Sequence, residues 1–342
     1  LLSKTIDPKF IYGLPKAELH VHLEGTLEPE LKLALAQKNH IDIGQTTVED
    51  IRKTYEFNSS LSAFLAVYYS GMIVLQTEDD FYQLAMEYLK RAKENNVRHV
   101  EMFFDPQAHL ARGISFDTVI NGYYQACQDA KALNIDAQLI MCFLRDMPAQ
   151  SANEILLMPQ HHRNKILGIG LDSDEHHNPP LKFAYQFANA TAQGYHTTMH
   201  ADIDQIDSIE HIKQALEIIN VNRLDHGTNI VENQDLVKWA AHTQIGLTAC
   251  PLSNKFIAND SKGKEILDLL DQGVKVSINS DDPAYFGGYI SDNYLALDSE
   301  FEISKEDIIK LAKNSFETSW ISPIQKQIYL NEIDTYVNNY EE

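Results

Sequence analysis

Positive charge, cysteine and long apolar runs are all scarce in this chain. Lys and Arg number 28 against 49 Asp and Glu, a formal net charge of −21 over 342 residues. So negative a surface repels phosphate backbones and anionic lipid, and neither nucleic acid nor a membrane is expected as a partner. A small neutral or cationic ligand suits the charge better. No apolar run approaches the roughly 18 residues of a membrane-crossing helix. The 3 cysteines, Cys127, Cys142 and Cys250, are odd in number and far apart. They read as reduced, buried thiols, not as a disulfide framework or a zinc knuckle. Leu1 to Phe10 holds no secretory apolar region, which together with the thiols points to the cytoplasm. The 15 glycines and 11 prolines are nowhere concentrated. With no linker, repeat or low-complexity stretch, a single domain over 1–342 is the simplest organisation. Association of identical chains stays open.

What is present is a hydrophobic content of 44%, ample for a large core, arranged as short β-rich runs alternating with longer amphipathic stretches. The predicted strands are 17–22, 97–104, 136–144, 166–171, 195–200, 221–225, 244–249 and 274–279. A helical insert occupies roughly 28–95 after the first, with the stretches around Phe64 to Val74 and Phe81 to Ala92 both amphipathic. Parallel strands require crossover helices, so eight strands alternating with helices predict an α/β (β/α)8 barrel of the TIM type. A doubly wound open sheet is the alternative. Gly168-Ile169-Gly170 falls inside a strand and lacks a third glycine, so it is no dinucleotide fingerprint.

In such a barrel the chemistry sits at the C-terminal ends of the strands. Strand 1 ends in Glu18-Leu19-His20-Val21-His22, where residues i and i+2 share a face and both imidazoles reach one point. Strand 2 ends in Phe103-Phe104-Asp105-Pro106, and strand 4 runs into Asp172-Ser173-Asp174-Glu175. Strand 5 ends at His200-Ala201-Asp202, strand 6 at Asp225-His226-Gly227, strand 7 at Cys250-Pro251-Leu252-Ser253-Asn254, and strand 8 at Ser280-Asp281-Asp282-Pro283. Histidines and carboxylates thus collect on one rim from strands distant in sequence. Three histidines and a carboxylate suit one divalent ion with a position left for water, which zinc acidifies to a pKa of about 7. His226 is then free to orient or deprotonate that water, and Asp282 to hold substrate.

Other residues have plainer readings. His161-His162 and His176-His177 lie in polar loops, where adjacent histidines point apart and rarely share an ion. Glu24 reaches either substrate or a loop ion pair. Phe64, Tyr68 and Tyr69 either roof a pocket by stacking or pack a helix on the barrel. Cys250 reads as a core thiol. A two-metal phosphatase or lactonase would want a bridging lysine at strand 4, which offers none.

Taken together, Leu14 to Gly25, Leu224-Asp225-His226-Gly227, Cys250 to Asn254 and Ser280 to Pro283 resemble the adenosine/adenine deaminase family of metal-dependent amidohydrolases. Phe103 to Gln107, Gly170 to Ser173, Asn178-Pro179-Pro180 and Tyr285 to Tyr289 are closest to its adenine deaminase branch. A Gly-Asp-Glu common in the nucleoside enzymes is Ser173-Asp174-Glu175 here. The resemblance implies one zinc ion per chain on His20, His22, His200 and Asp281. It further implies that His226 activates water, that Asp282 and Asp172 bind substrate, and that adenine becomes hypoxanthine plus ammonia.

One motif breaks. The family's His-Ala-Gly-Glu supplies a glutamate that protonates the purine ring, and this chain reads His200-Ala201-Asp202-Ile203. Isoleucine can move no proton, and such groups are worth about 10²–10⁴ in rate. Three readings follow: Asp202 or Asp204 takes over as the acid, the substrate is another amino-heterocycle, adenosine or an N6-substituted base, or the chain binds zinc and purine with little turnover.

Overall fold

The computed structural model describes residues 6–301 and 303–341. Eight strands form one sheet in the order of the sequence, each pair parallel: β1 (Lys16–His22), β2 (Val97–Phe104), β3 (Asp136–Leu144), β4 (Gly168–Asp172), β5 (His196–Ala201), β6 (Arg223–His226), β7 (Gly246–Ala249) and β8 (Lys275–Ile278). The sheet closes where β8 returns to β1. Val21 bridges Asp281, His22 N donates to Asp281 O at 2.9 Å, and Asp281 N to His20 O at 3.0 Å. Asn279 Oδ1 accepts from Leu19 N at 2.8 Å. Sequential order and closure together rule out the open doubly wound sheet and give the (β/α)8 barrel.

The strands form because their residues are buried on both faces, inside by the barrel core and outside by helices. β1, β6 and β7 are buried at every position. The outer helices carry the matching stripe. Glu78–Glu94 buries Phe81, Leu84, Ala85, Tyr88, Leu89 and Ala92, spaced three and four apart, and opens with a Thr77/Asp80 capping box.

Within the predicted insert stand helices Pro29–Lys38, Val48–Lys53, Leu61–Gly71 and Glu78–Glu94. Ser60 caps the third by accepting from Ala63 N. Phe64 and Tyr68 of that helix join Phe57, Ile257, Tyr285 and Phe286 in an apolar cluster separate from the main core. This cluster sits at the C-terminal mouth of the barrel.

The opposite end is closed by a polar plug. Arg223 Nη1 donates to Glu101 Oε2 at 2.6 Å with its guanidinium over the Trp320 ring. His99 lies between Glu101 and Asp136, 2.8 Å from each. All three cysteines are free and buried. Among the described residues no helix is long and apolar enough to cross a membrane.

Candidate active site

β1 delivers His20 and His22 to one face, as alternation requires. β5 delivers His200, β6 ends on His226, and Asp281 follows β8. The backbone at His226 and Asp281 is left-handed, with φ of 55° and 61°. Non-glycine residues rarely adopt that region, and such strain concentrates where side chains must be aimed.

The donors converge. His20 Nε2 lies 3.2 Å and His22 Nε2 3.3 Å from Asp281 Oδ1, and His22 Nε2 lies 3.1 Å from His200 Nε2. Ligand atoms bound tetrahedrally at about 2.0–2.1 Å to zinc stand about 3.3 Å apart, so these edges match a zinc-sized centre. His20 Nε2 is buried and lacks any hydrogen-bond partner, an orphan that a cation would satisfy. Burial pushes His20 down to about 3, and burial with the neighbouring imidazoles holds His200 well below its usual value. Both are neutral, the form that binds metal. Burial raises Asp281, but His20, His22 and His226 outweigh it and hold the carboxylate well below the usual range. At His22 too the neighbours outweigh burial: burial lowers it, and Asp282, Asp172 and Asp281 lift it well above its usual value.

A second layer fixes these groups. His20 Nδ1 meets Thr248 Oγ1 at 2.9 Å. Asp225 accepts from Thr248 at 3.0 Å and from Thr198 at 2.8 Å and lies 3.6 Å from His200 Nδ1. Ser253 Oγ donates to Asp281 Oδ2 at 2.6 Å. Asp172 Oδ2 faces His22 Nδ1 at 3.4 Å. Orientation of this kind is what keeps ligating imidazoles in one tautomer.

His226 Nε2 stands 3.6 Å from Asp281 Oδ2 and 3.8 Å from Asp202 Oδ1. The pocket above them is lined by Asp202, Ile203 and Asp204 on one side, by Asp105, Asp172 and Ser173 on another, and by Asp282. Leu61, Phe64, Leu65, Tyr68 and Tyr69 form its aromatic and aliphatic roof. The Asp282 carboxylate lies over Gly25, where a Cβ would come within 1.9 Å of Oδ1; glycine is required for that approach. Burial and then Asp281 hold Asp282 well above the usual carboxylate range.

The broken motif now has a shape. Ile203 is part of the pocket wall and its carbonyl accepts from Asn229. Asp202 precedes it, aimed into the pocket, and no hydrogen bond from the described residues reaches its carboxylate. Its backbone is tied down instead: Asp202 N donates to Glu175 Oε2 at 2.6 Å, and Glu175 Oε1 accepts from His211 Nδ1 at 2.7 Å. Burial, Glu175 and Asp204 push Asp202 well above the usual carboxylate range. Asp204 sits further out on the half-buried turn, 3.9 Å from His176 Nε2.

The bland readings divide. Glu24 is a buried partner of His109, at 2.7 Å. His162 pairs with Asp117 and His176 with Asp174. Phe64, Tyr68 and Tyr69 both roof the pocket and pack their helix. Sequence reasoning gave no role to Glu175, Asp225, Thr248 and Ser253, nor to the buried Arg145, whose Nη1 donates to His200 O at 2.9 Å. Glu175, Asp225 and Ser253 had a signal, standing in the strand-4 run, beside His226 and within Cys250 to Asn254; Arg145 and Thr248 had none.

The parallel barrel with histidines and carboxylates converging on one rim, taken with its relatives, makes this chain a hydrolase acting on cyclic amidine C–N bonds. The adenosine deaminase family matches residues 15–336, and the chain belongs to it. It is 46% identical over 329 residues to an adenine deaminase of Acinetobacter baylyi, covering 95% of this chain and 98% of that one. The crystal structure of an adenine deaminase from Arthrobacter aurescens superposes with a TM-score of 0.91 at 40% identity, over 95% of this chain and 99% of that chain. A zinc-bound amidohydrolase from Burkholderia ambifaria gives 0.89 at 25% identity, over 98% and 96%.

Proposed function

We propose that this chain hydrolyses adenine to hypoxanthine and ammonia, with one zinc ion on His20, His22, His200 and Asp281 and with Asp202 as the acid in place of the family's glutamate. Relatives that are adenine deaminases support the substrate, and the zinc-bound homologue supports the metal. The observation that carries the reading is the free carboxylate of Asp202 in the pocket wall beside His226.

Zinc bound at that centre supplies a water acidified to a pKa of about 7. Burial lowers His226, leaving a neutral imidazole able to accept the proton of the attacking water. Asp202, whose buried, acidic surroundings favour its protonated form, donates to ring nitrogen N1 and makes C6 electrophilic. Asp282, over Gly25, holds a second ring nitrogen and the attacking oxygen. Water adds its oxygen at C6, the proton taken by His226 passes to the amine, the C6–N bond breaks to release ammonia, and as C6=O forms the second water proton replaces the one that Asp202 gave to N1. The aromatic roof stacks on the base and excludes bulk water. The single unbroken barrel supports one domain.

The test is ammonia release from adenine, adenosine and N6-methyladenine by zinc-loaded protein. Turnover of adenine at about 1–10³ s⁻¹, well above the other two, is the expected result. Full zinc occupancy with no release from any of the three overturns the reading and leaves a zinc- and purine-binding homologue.

A further inference from the structure

Two strand ends of this barrel carry the same Asp-Pro turn. Asp105-Pro106 follows β2 and Asp282-Pro283 follows β8, with φ,ψ of −113°, 83° and −120°, 73° at the aspartates. Each aspartate stands where a helix cap would, yet neither side chain caps, although Asp is among the best capping residues. The carboxylates turn into the pocket instead. Asp282 has its role in the reaction above; Asp105 has none. It is 1% exposed and both its oxygens lack a hydrogen-bond partner, as does Oδ1 of Asp172, which is 3% exposed. The two carboxylates and His22 offer atoms within 4.8 Å of one another. The Asp105 backbone is fixed by Glu24 Oε1, which accepts from its N–H at 3.2 Å. Two buried, unanswered acceptors are costly unless a donor arrives.

The donor follows from barrel order. β6, carrying His226, and β2, leading to Asp105, stand opposite each other in a ring of eight. With the amino-bearing carbon at His226 and Asp202, the far edge of a purine reaches toward β2. A free base carries one imidazole N–H on its five-membered ring; a nucleoside has lost it to the sugar. We propose that Asp105, flanked by Asp172, selects the free base by accepting that N–H. This rests on the purine reading given above and names the edge of the base that the site reads.

The test is equilibrium binding, which needs no turnover: calorimetry of hypoxanthine and 9-methylhypoxanthine on the zinc-loaded protein. Wild type is expected to prefer hypoxanthine by about 10²-fold or more. Asp105→Leu, similar in size and without an acceptor, should weaken hypoxanthine by about 10- to 100-fold and leave the methylated base unchanged or tighter. Asp105→Asn, which keeps one acceptor, should fall between. Equal binding of the two bases by wild type overturns the assignment, and so does a preference that survives in both variants at full zinc content. Uptake of a second zinc on His22, Asp105 and Asp172 also overturns it, because those oxygens would then serve a cation. Absence of adenine deamination with the binding preference intact counts against the reaction alone.

Discussion

The carboxylate of Asp202 lies 3.8 Å from Nε2 of His226 inside the pocket, and the backbone N–H of Asp202 is held at 2.6 Å by the buried Glu175. The first contact puts a carboxylate next to the imidazole, as the proposed acid and base require. The second explains why a shorter side chain, one position earlier than the family's glutamate, stays where it is. Asp202→Asn should therefore lower kcat/KM for adenine by about 10²–10⁴ while zinc content by atomic spectroscopy stays at the wild-type value. Asp204→Asn, on the outer turn beside His176, should cost less than about tenfold, below the range for a general acid. The reverse ranking would move the acid to Asp204.

Position 203 gives an independent check. Ile203→Glu alone should bring no gain, because in the proposed reaction Asp202 supplies the proton. Asp202→Gly should be nearly inactive, and adding Ile203→Glu to it rebuilds the family's His-Ala-Gly-Glu and should recover most of the about 10²–10⁴ lost. Initial rates of ammonia release on the three variants decide it. A large gain from Ile203→Glu alone would mean that the acid position stands empty in the natural chain.

The converging histidines and carboxylates were legible in the sequence and their supports were not, for one reason. Strands buried on both faces announce themselves as continuous β-rich runs, and a (β/α)8 barrel then sends every strand end to one rim, so His20, His22, His200, His226 and Asp281 could be grouped by topology alone. The same continuity blurs boundaries. Ile166 and Ile245 extend the apolar runs but lie outside β4 and β7, buried against the barrel without joining the ladder. Glu175 and Asp225 stand inside motifs but carry no mark of this role, because what makes them matter is the partner across space: His211 and the Asp202 backbone for one, Thr198 and Thr248 for the other. Asp202 and Asp204 looked alike in an acidic run, and only the turn that follows β5 separates them.

Asp225 tests the second layer. It is buried, bridges Thr198 and Thr248, and stands behind both His20 and His200. Asp225→Asn should weaken zinc affinity by about 10–100-fold, read by competition with a chelating dye, and His200→Ala should abolish stoichiometric binding. Undiminished zinc in His200→Ala would remove His200 from the ligand set.

At the other end of the barrel the same chain makes a stability prediction. Burial pushes His99 down, but Asp136 and Glu101 outweigh it and hold it up to about 9. A histidine raised from its ordinary 6.5 or so stabilises the fold fully below that value. The contribution, up to about 3 kcal/mol, is lost as pH rises through 9. Lys16 acts in the opposite sense over the same range: burial pushes it down to about 7, so its neutral form favours the fold as pH climbs. The informative quantity is therefore the difference between wild type and His99→Gln in urea unfolding free energy. That difference should be largest near pH 6 and shrink toward pH 9.5. A difference independent of pH would mean that His99 is neutral in the plug, with Glu101 held by Arg223 and the Trp320 N–H alone.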